Sequence, residues 1–289
     1  MGIEMGNNRK EIFVDVRKAL SLFEQEKYTQ AFNLLTIVEK KTDHIHLISK
    51  IANIKVSCLM QVGNVKSAVE YVDGLLSRHP VSGQIAFIGA TMFHKLDDME
   101  RANRLYLRAV CLFPTNTRYS LIYSQFLREK NRSKEAISIL KRCLRVNKIA
   151  AKERNAELYF VYLEISLIYY YSGYLWRSLI LFEHCSKLSN EFLYHDLIAD
   201  IYLKKQNYEE ALAHIKLHLD EWGDSDPEAL YLHAKALVGV NKKKEAFQVL
   251  QKCGSIWGEL VVTPGDMAHL FPLMQDGSLK KIPNLVIEL

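Results

Sequence analysis

Residues 82–116 read SGQIAFIGATMFHKLDDMERANRLYLRAVCLFPTN. The stretch parses as two short amphipathic helices joined at Leu96-Asp97-Asp98 and closed by Pro114, a residue that cannot continue a helix. Small side chains (Ala90, Ala102, Ala109) fall where helices must touch, and bulky ones (Phe93, Tyr106) fall where a gap must be filled. Working outward from Ala102, matching positions stand at Ala31, Ala68, Ala136, Ser178, Ala211 and Ala246, with successive spacings of 37, 34, 34, 42, 33 and 35 residues. Twelve residues before these anchors stand Ala19, Val56, Ala90, Ser124, Ser166, Ala199 and Ala234, six of the seven small. Nine before stand Leu22, Leu59, Phe93, Leu127, Tyr169, Tyr202 and Leu237, and four after stand Leu35, Val72, Tyr106, Leu140, Phe182, Ile215 and Leu250, all large. Small residues let two helix backbones approach to roughly 8–10 Å. The large residues of one unit then fill the groove left by the next. No unit of this size buries its apolar stripe alone, so seven units in phase predict a continuous stack.

On these residues the chain resembles the tetratricopeptide repeat family, whose unit is a helix–turn–helix of about 34 residues. The resemblance implies an all-α, right-handed α-solenoid of about seven repeats with a C-terminal capping segment. The expected organisation is an N-terminal extension over 1–14, a solenoid over 15–253 and a capping helix and tail over 254–289. Pro80 and Pro114 each lie twelve residues after an anchor and set the turn to the next unit. The fourth unit lacks that proline, and eight extra residues fall within Lys148–Asn155, so a lengthened helix with a bend at 148–157 is expected there. The fifth unit is apolar nearly all round, from Leu158 through Tyr171. Asp226 is placed to cap the thirteenth helix, with Pro227 at its first position. Thr263-Pro264-Gly265-Asp266 reads as the start of a further helix to about Gln275. The final IPNLVIEL reads as part of a cap or, alternatively, as a docking peptide.

Composition excludes several classes. At 49% apolar and 25% charged, the chain has the material for a large core and does not read as disordered. Five cysteines with no Cys-x-x-Cys form neither a disulfide framework nor a zinc pattern, and a reducing, cytoplasmic setting is expected. Cys143, Cys185 and Cys253 fall where Ala109 stands in the lead unit and read as small packing residues. The N-terminus has no apolar signal core, and Leu158–Phe182 is interrupted by Glu164, Ser172-Gly173 and Arg177, so no membrane crossing is expected. The net charge of +5 is unevenly placed: Arg128–Arg154 holds ten Lys or Arg against three Asp or Glu, leaving the remainder at −2. That band suits a solvated outer face, an acidic partner or nucleic acid, although it lacks interleaved aromatics for base stacking.

No catalytic constellation is present: there is no phosphate-cradling glycine loop, no G-x-S-x-G and no H-E-x-x-H. His44 and His46 lie near a loop tip, and His214 and His218 lie four apart, but two histidines are too few for a metal site and none is expected. Asp196 and Asp200 share a helix face, yet an open, wet groove should leave nothing to push their pKa values apart. No cofactor is expected. The resemblance implies instead that the first helix of each unit lines a concave surface that holds a partner peptide or helix. Transferred to this chain, those positions are Asn53; Phe87 and Thr91; Leu121, Gln125 and Arg128; Leu163, Leu167 and Tyr170; Asp196 and Asp200; Tyr231 and Lys235. The Lys/Asn/Arg clamp by which one subgroup grips chaperone tails is missing, since its positions hold pairs such as Val16 and Leu20, or Phe87 and Thr91. The expectation is therefore a non-catalytic scaffold or adaptor within a larger assembly. A specialised chaperone for an apolar or amphipathic segment is one alternative, and a nucleic-acid binder acting through 128–154 is another.

Overall fold

The structure, a computed structural model, describes residues 2–150, 155–189, 194–256, 260–262, 270, 282 and 285–287. It divides into two compact units, Met1–Glu153 and Arg154–Leu289. Unit 1 contains four helix pairs: α1 (Gly2–Glu24) with α2 (Tyr28–Glu39), α3 (Ile45–Gln61) with α4 (Val65–Arg78), α5 (Gly83–Lys95) with α6 (Met99–Leu112), and α7 (Thr117–Glu129) with α8 (Ser133–Ala150). Among the described residues unit 2 contains three: α9 (Asn155–Tyr171) with α10 (Leu175–Leu188), α11 (His195–Lys204) with α12 (Tyr208–Trp222), and α13 (Pro227–Gly239) with α14 (Lys243–Ile256). Two short strands follow, β1 (Leu260–Val262) and β2 (Leu285–Ile287), paired in parallel with Leu260 opposite Leu285. Each unit is thus a stack of helix–turn–helix repeats, an α-solenoid.

The seven anchors, Ala31, Ala68, Ala102, Ala136, Ser178, Ala211 and Ala246, are all buried at 0% exposure. A side chain longer than Ala or Ser at these crossings would hold the paired helices apart. The large residues four positions on, from Leu35 to Leu250, are equally buried and complete each pair's core. Cys143, Cys185 and Cys253 are buried as well, each in the place of Ala109.

All seven intra-pair turns are built alike. Glu26, Gly63, Asp97, Asn131, Gly173, Gln206 and Asn241, each five residues before an anchor, have φ between 58° and 78°. At each turn the next amide donates back to the carbonyl of the bulky residue five earlier: Lys27 to Leu22, Asn64 to Leu59, Asp98 to Phe93, Arg132 to Leu127, Tyr174 to Tyr169, Asn207 to Tyr202 and Lys242 to Leu237. A left-handed residue with this 6→1 bond satisfies the open carbonyls at a helix end. The following helix is capped by a side chain in several units, as where Asn64 accepts from the Ser67 amide and Asp98 from the Arg101 amide. Asp226 accepts from the Glu228 and Ala229 amides, with Pro227 at the first helical position, as expected.

One boundary differs from the sequence expectation. Helix α1 starts at Gly2 and not near Asp15, because Ile12, Val16 and Ala19 share a face that is buried against Leu35, Val38, Leu47 and Ile51. Helix α8 runs to Ala150, beyond the point where proline ends the earlier second helices. Of the helix expected after Thr263, all but Leu270 lies outside the described residues. Leu270 and Ile282 are buried in one cluster with Leu230, Leu237, Ala246 and Leu250 of α13 and α14. Among the described residues no helix is long and apolar enough to cross a membrane.

Candidate functional site

In unit 1 the first helices of all four pairs line an open hollow of about 370 Å³. Helix α1 contributes Val16 and Leu20, and α3 contributes His46, Ser49, Lys50, Asn53 and Ile54. The opposite side comes from Gln84, Phe87 and Ile88 of α5 and from Arg118 and Tyr119 of α7. The wall is held by contacts between repeats. Ser49 Oγ donates to Gln84 Oε1 at 2.6 Å, and Gln84 Nε2 lies 3.0 Å from His46 Nδ1. Phe87 stacks on Tyr119 with ring centroids 4.2 Å apart and meets Tyr106 edge-on at 5.8 Å. Burial, and then the Glu129 charge, push the Tyr106 phenol up to about 12. Its lining joins the apolar Val16, Leu20, Ile54 and Ile88 to Lys50 and Arg118, and among the described residues no carboxylate lines it.

Of the residues transferred from the family pattern, Asn53 and Phe87 line this hollow. Thr91, Leu121, Gln125 and Arg128 stand on α5 and α7 but do not, and Thr91 spends its hydroxyl on the Ile88 carbonyl at 2.9 Å. The sequence reading missed Lys50, Gln84 and Arg118, which stand eighteen residues before their anchors, one helical turn ahead of Asn53 and Phe87. Their shared register was the available signal, since residues three apart occupy one helix face.

Behind the hollow, Lys55 is buried at 3% exposure, with Nζ 2.7 Å from Glu39 Oε2 and 4.3 Å from the centre of the Tyr71 ring. Tyr71 also donates to Glu39, at 3.0 Å, and its pKa is pushed far up by burial and then by that carboxylate. This network ties α2, α3 and α4 together.

In unit 2 the first-helix face is more closed. Leu163, Tyr231 and Lys235 are only 7, 9 and 9% exposed, so little of each is open to a partner. Leu163 packs with Leu179, Phe182 and Cys185. Leu167 and Tyr170 are half-buried against the same cluster. The Tyr170 hydroxyl donates to Asp200 at 2.5 Å, and Lys204 Nζ reaches the same carboxylate at 2.5 Å while lying 5.1 Å from the Tyr170 ring centre. Asp200 is thus engaged twice within the fold.

The expectation that Asp196 is unperturbed does not hold, because burial raises its pKa. His218 lies between two acids, with Nδ1 3.9 Å from Asp196 and Nε2 3.0 Å from Asp226. His214 faces His195, Nδ1 to Nδ1 at 3.0 Å, and not His218. Burial, followed by the His214 and His218 charges, lowers His195 to about 4, so it is neutral near neutral pH. Among the described residues no group of three or more His, Cys, Asp or Glu could hold a metal ion.

This geometry of nested helix pairs is the tetratricopeptide-repeat fold. The chain is similar to the type IV pilus biogenesis factor PilW, at 14% identity over 72% of this chain and 93% of that one, with a TM-score of 0.55. It is similar to Pseudomonas aeruginosa PilF, at 18% identity over 78% and 92% with a TM-score of 0.55. It is also similar to YrrB, a tetratricopeptide protein with an unusual peptide-binding site, at 14% identity over 71% and 97% with a TM-score of 0.53. No protein-family model and no curated sequence matches the chain.

Proposed function

We propose that the protein is a non-catalytic scaffold that holds a peptide or helix of a protein partner within a larger assembly. The hollow in unit 1 carries this reading. Four repeats each contribute side chains to it, Val16, Leu20, Ile54 and Ile88 give it apolar surface, and Lys50 and Arg118 add positive charge, with no acid among the described residues of the lining. Such a surface suits an apolar anchor side chain flanked by a carboxylate. A partner helix lying across it would be fixed by one or two buried side chains, with the polar rim setting register. The shared fold with YrrB, whose peptide-binding site is established for that protein, is consistent with this use of the scaffold.

Leu270 and Ile282, packed on the last helix pair, support a capping role for the C-terminal segment in the same scheme. The buried thiols Cys58, Cys143, Cys185 and Cys253 suit a reducing compartment such as the cytoplasm. The test is crosslinking from a photoreactive residue at Asn53 in extract of the source cell, repeated with Lys50→Glu and Leu20→Ser. Both side chains face the hollow, and Leu20 is 41% exposed, so neither change should unfold the chain. The reading predicts a discrete crosslinked partner that both substitutions deplete by about ten-fold. An unchanged crosslinking pattern would refute it.

A further inference from the structure

Helices α6 and α8, the second helices of their pairs, meet where Arg142 Nη1 lies 3.7 Å from Cys111 Sγ. The outward side of α6 presents the exposed Arg104, Leu107 and Cys111 with the half-buried Arg108, positions that share one face by their spacing. The outward side of α8 presents Lys134, Lys141, Arg142, Arg145 and Lys148, all exposed, along roughly 21 Å of helix. Acids are scarce here. Helix α8 carries only Glu135, which Arg132 holds by two bonds of 2.7 Å, and α6 carries only Glu100, 4.0 Å from Arg104. Among the described residues Arg108, Lys134 and Arg145 have no ion-pair partner. Clustered like charges repel, and a bound polyanion relieves that cost.

The face is not purely ionic. Leu107, 43% exposed, stands between Arg104 and Arg108, with the exposed Cys111 one turn on. A phosphodiester backbone offers nothing to a leucine, and neither helix carries an aromatic side chain on its exposed side for base stacking. A single central leucine is also little to insert into a bilayer. What meets both features is an acidic helix with an apolar residue in the middle of its carboxylates, pairing as charged flanks pair across a coiled-coil seam.

We propose that the outer face of α6 and α8 docks an acidic, leucine-containing helical segment of a partner protein, at a surface distinct from the hollow. The partner's Asp and Glu meet Arg104, Arg108, Lys134 and Arg145, and its leucine covers Leu107. Electrostatic complementarity of this kind speeds association and sets specificity, and it weakens with salt.

The test uses the full chain and a labelled synthetic peptide of roughly 18 residues, helical, with glutamates flanking central leucines. Fluorescence anisotropy is read against a DNA duplex of about 20 base pairs and against vesicles containing phosphatidylserine, all at low salt. The peptide should bind best, and its Kd should rise about ten-fold on combined Arg108→Glu and Arg145→Glu. Leu107→Ser, or serine in place of the peptide leucines, should cost about three-fold or more. Lys243→Glu with Lys244→Glu, exposed on α14 and part of neither surface, should change nothing, and circular dichroism should show every variant folded. Absence of peptide binding, tighter binding of the duplex or the vesicles, indifference to the charge reversals or to the loss of leucine, or an equal loss with the α14 reversals would each overturn the proposal.

Discussion

Replacing Glu26 and Gln206 by glycine should make the protein more stable. Both residues are exposed and sit in the left-handed region, at φ of 60° and 58°. A side chain with a Cβ costs ~1–2 kcal/mol in that conformation. Glycine gives back about 0.4–1 kcal/mol through the greater freedom of the unfolded chain. The difference leaves about 0.5–1 kcal/mol of gain per site, which for units of this size is a rise of about 1–4 °C in Tm. Glu26 lies in unit 1 and Gln206 in unit 2, so the two gains should add. Asn131→Gly should change little, since asparagine tolerates the same region. Gly63→Ala should lose about 1 kcal/mol, and for a backbone reason alone, since nothing lies within 4 Å of the added Cβ. Thermal and urea melts followed by circular dichroism read all four. If the two glycine substitutions are neutral while Gly63→Ala is harmless, the account of the turns is wrong.

Other substitutions address packing and charge. Gly239→Ala would place a Cβ 2.1 Å from the Tyr208 ring, so it should cost about 1–3 kcal/mol in a urea melt unless α12 shifts. Lys55→Ala strips Glu39 of its buried cation and should cost about 3–5 kcal/mol, whereas Lys55→Met with Glu39→Leu should restore most of that loss. The pH dependence has a definite sign. His195 takes its proton at about 4 when folded and at its ordinary value of 6.5 when unfolded, so the unfolded chain binds the proton first as pH falls. Stability supplied by the neutral ring is present above 6.5 and drains away between 6.5 and about 4. His214 is lowered by burial too and adds to the slope, while the raised Asp196 opposes it over the range above its ordinary value. His195→Gln should flatten the fall in urea midpoint over this range. Parallel curves for the two proteins would contradict the assignment.

The repeats were legible because their defining positions tolerate few residue types. Ala102 and Tyr106 cannot exchange roles without a clash or a void, so size classes persist in phase along the chain. The turns were not legible as a set, because the left-handed position accepts Glu, Gly, Asp, Asn or Gln whenever the backbone bond to Leu22 or its equivalents forms. In the hollow, Asn53 and Phe87 followed from the family pattern, whereas Lys50, Gln84 and Arg118 read as ordinary solvated residues until the helices were placed side by side. Leu163, 7% exposed, is hard to place from sequence because α9 is apolar on nearly every side and carries no phase to tell groove from core. Lys55 was invisible for a different reason: a buried lysine is uncommon, and only Glu39 and Tyr71, brought in by other helices, make it tolerable.

The main contacts of each helix are with the helix beside it in sequence or the one after that. Such a chain closes only short loops as it folds, which favours rapid acquisition of structure. It also sets no intrinsic length: a duplication or loss of one helix pair changes reach and surface while leaving the remaining joints as they were. Evolution can therefore lengthen or retune a protein of this design one segment at a time, and an engineer can follow the same route.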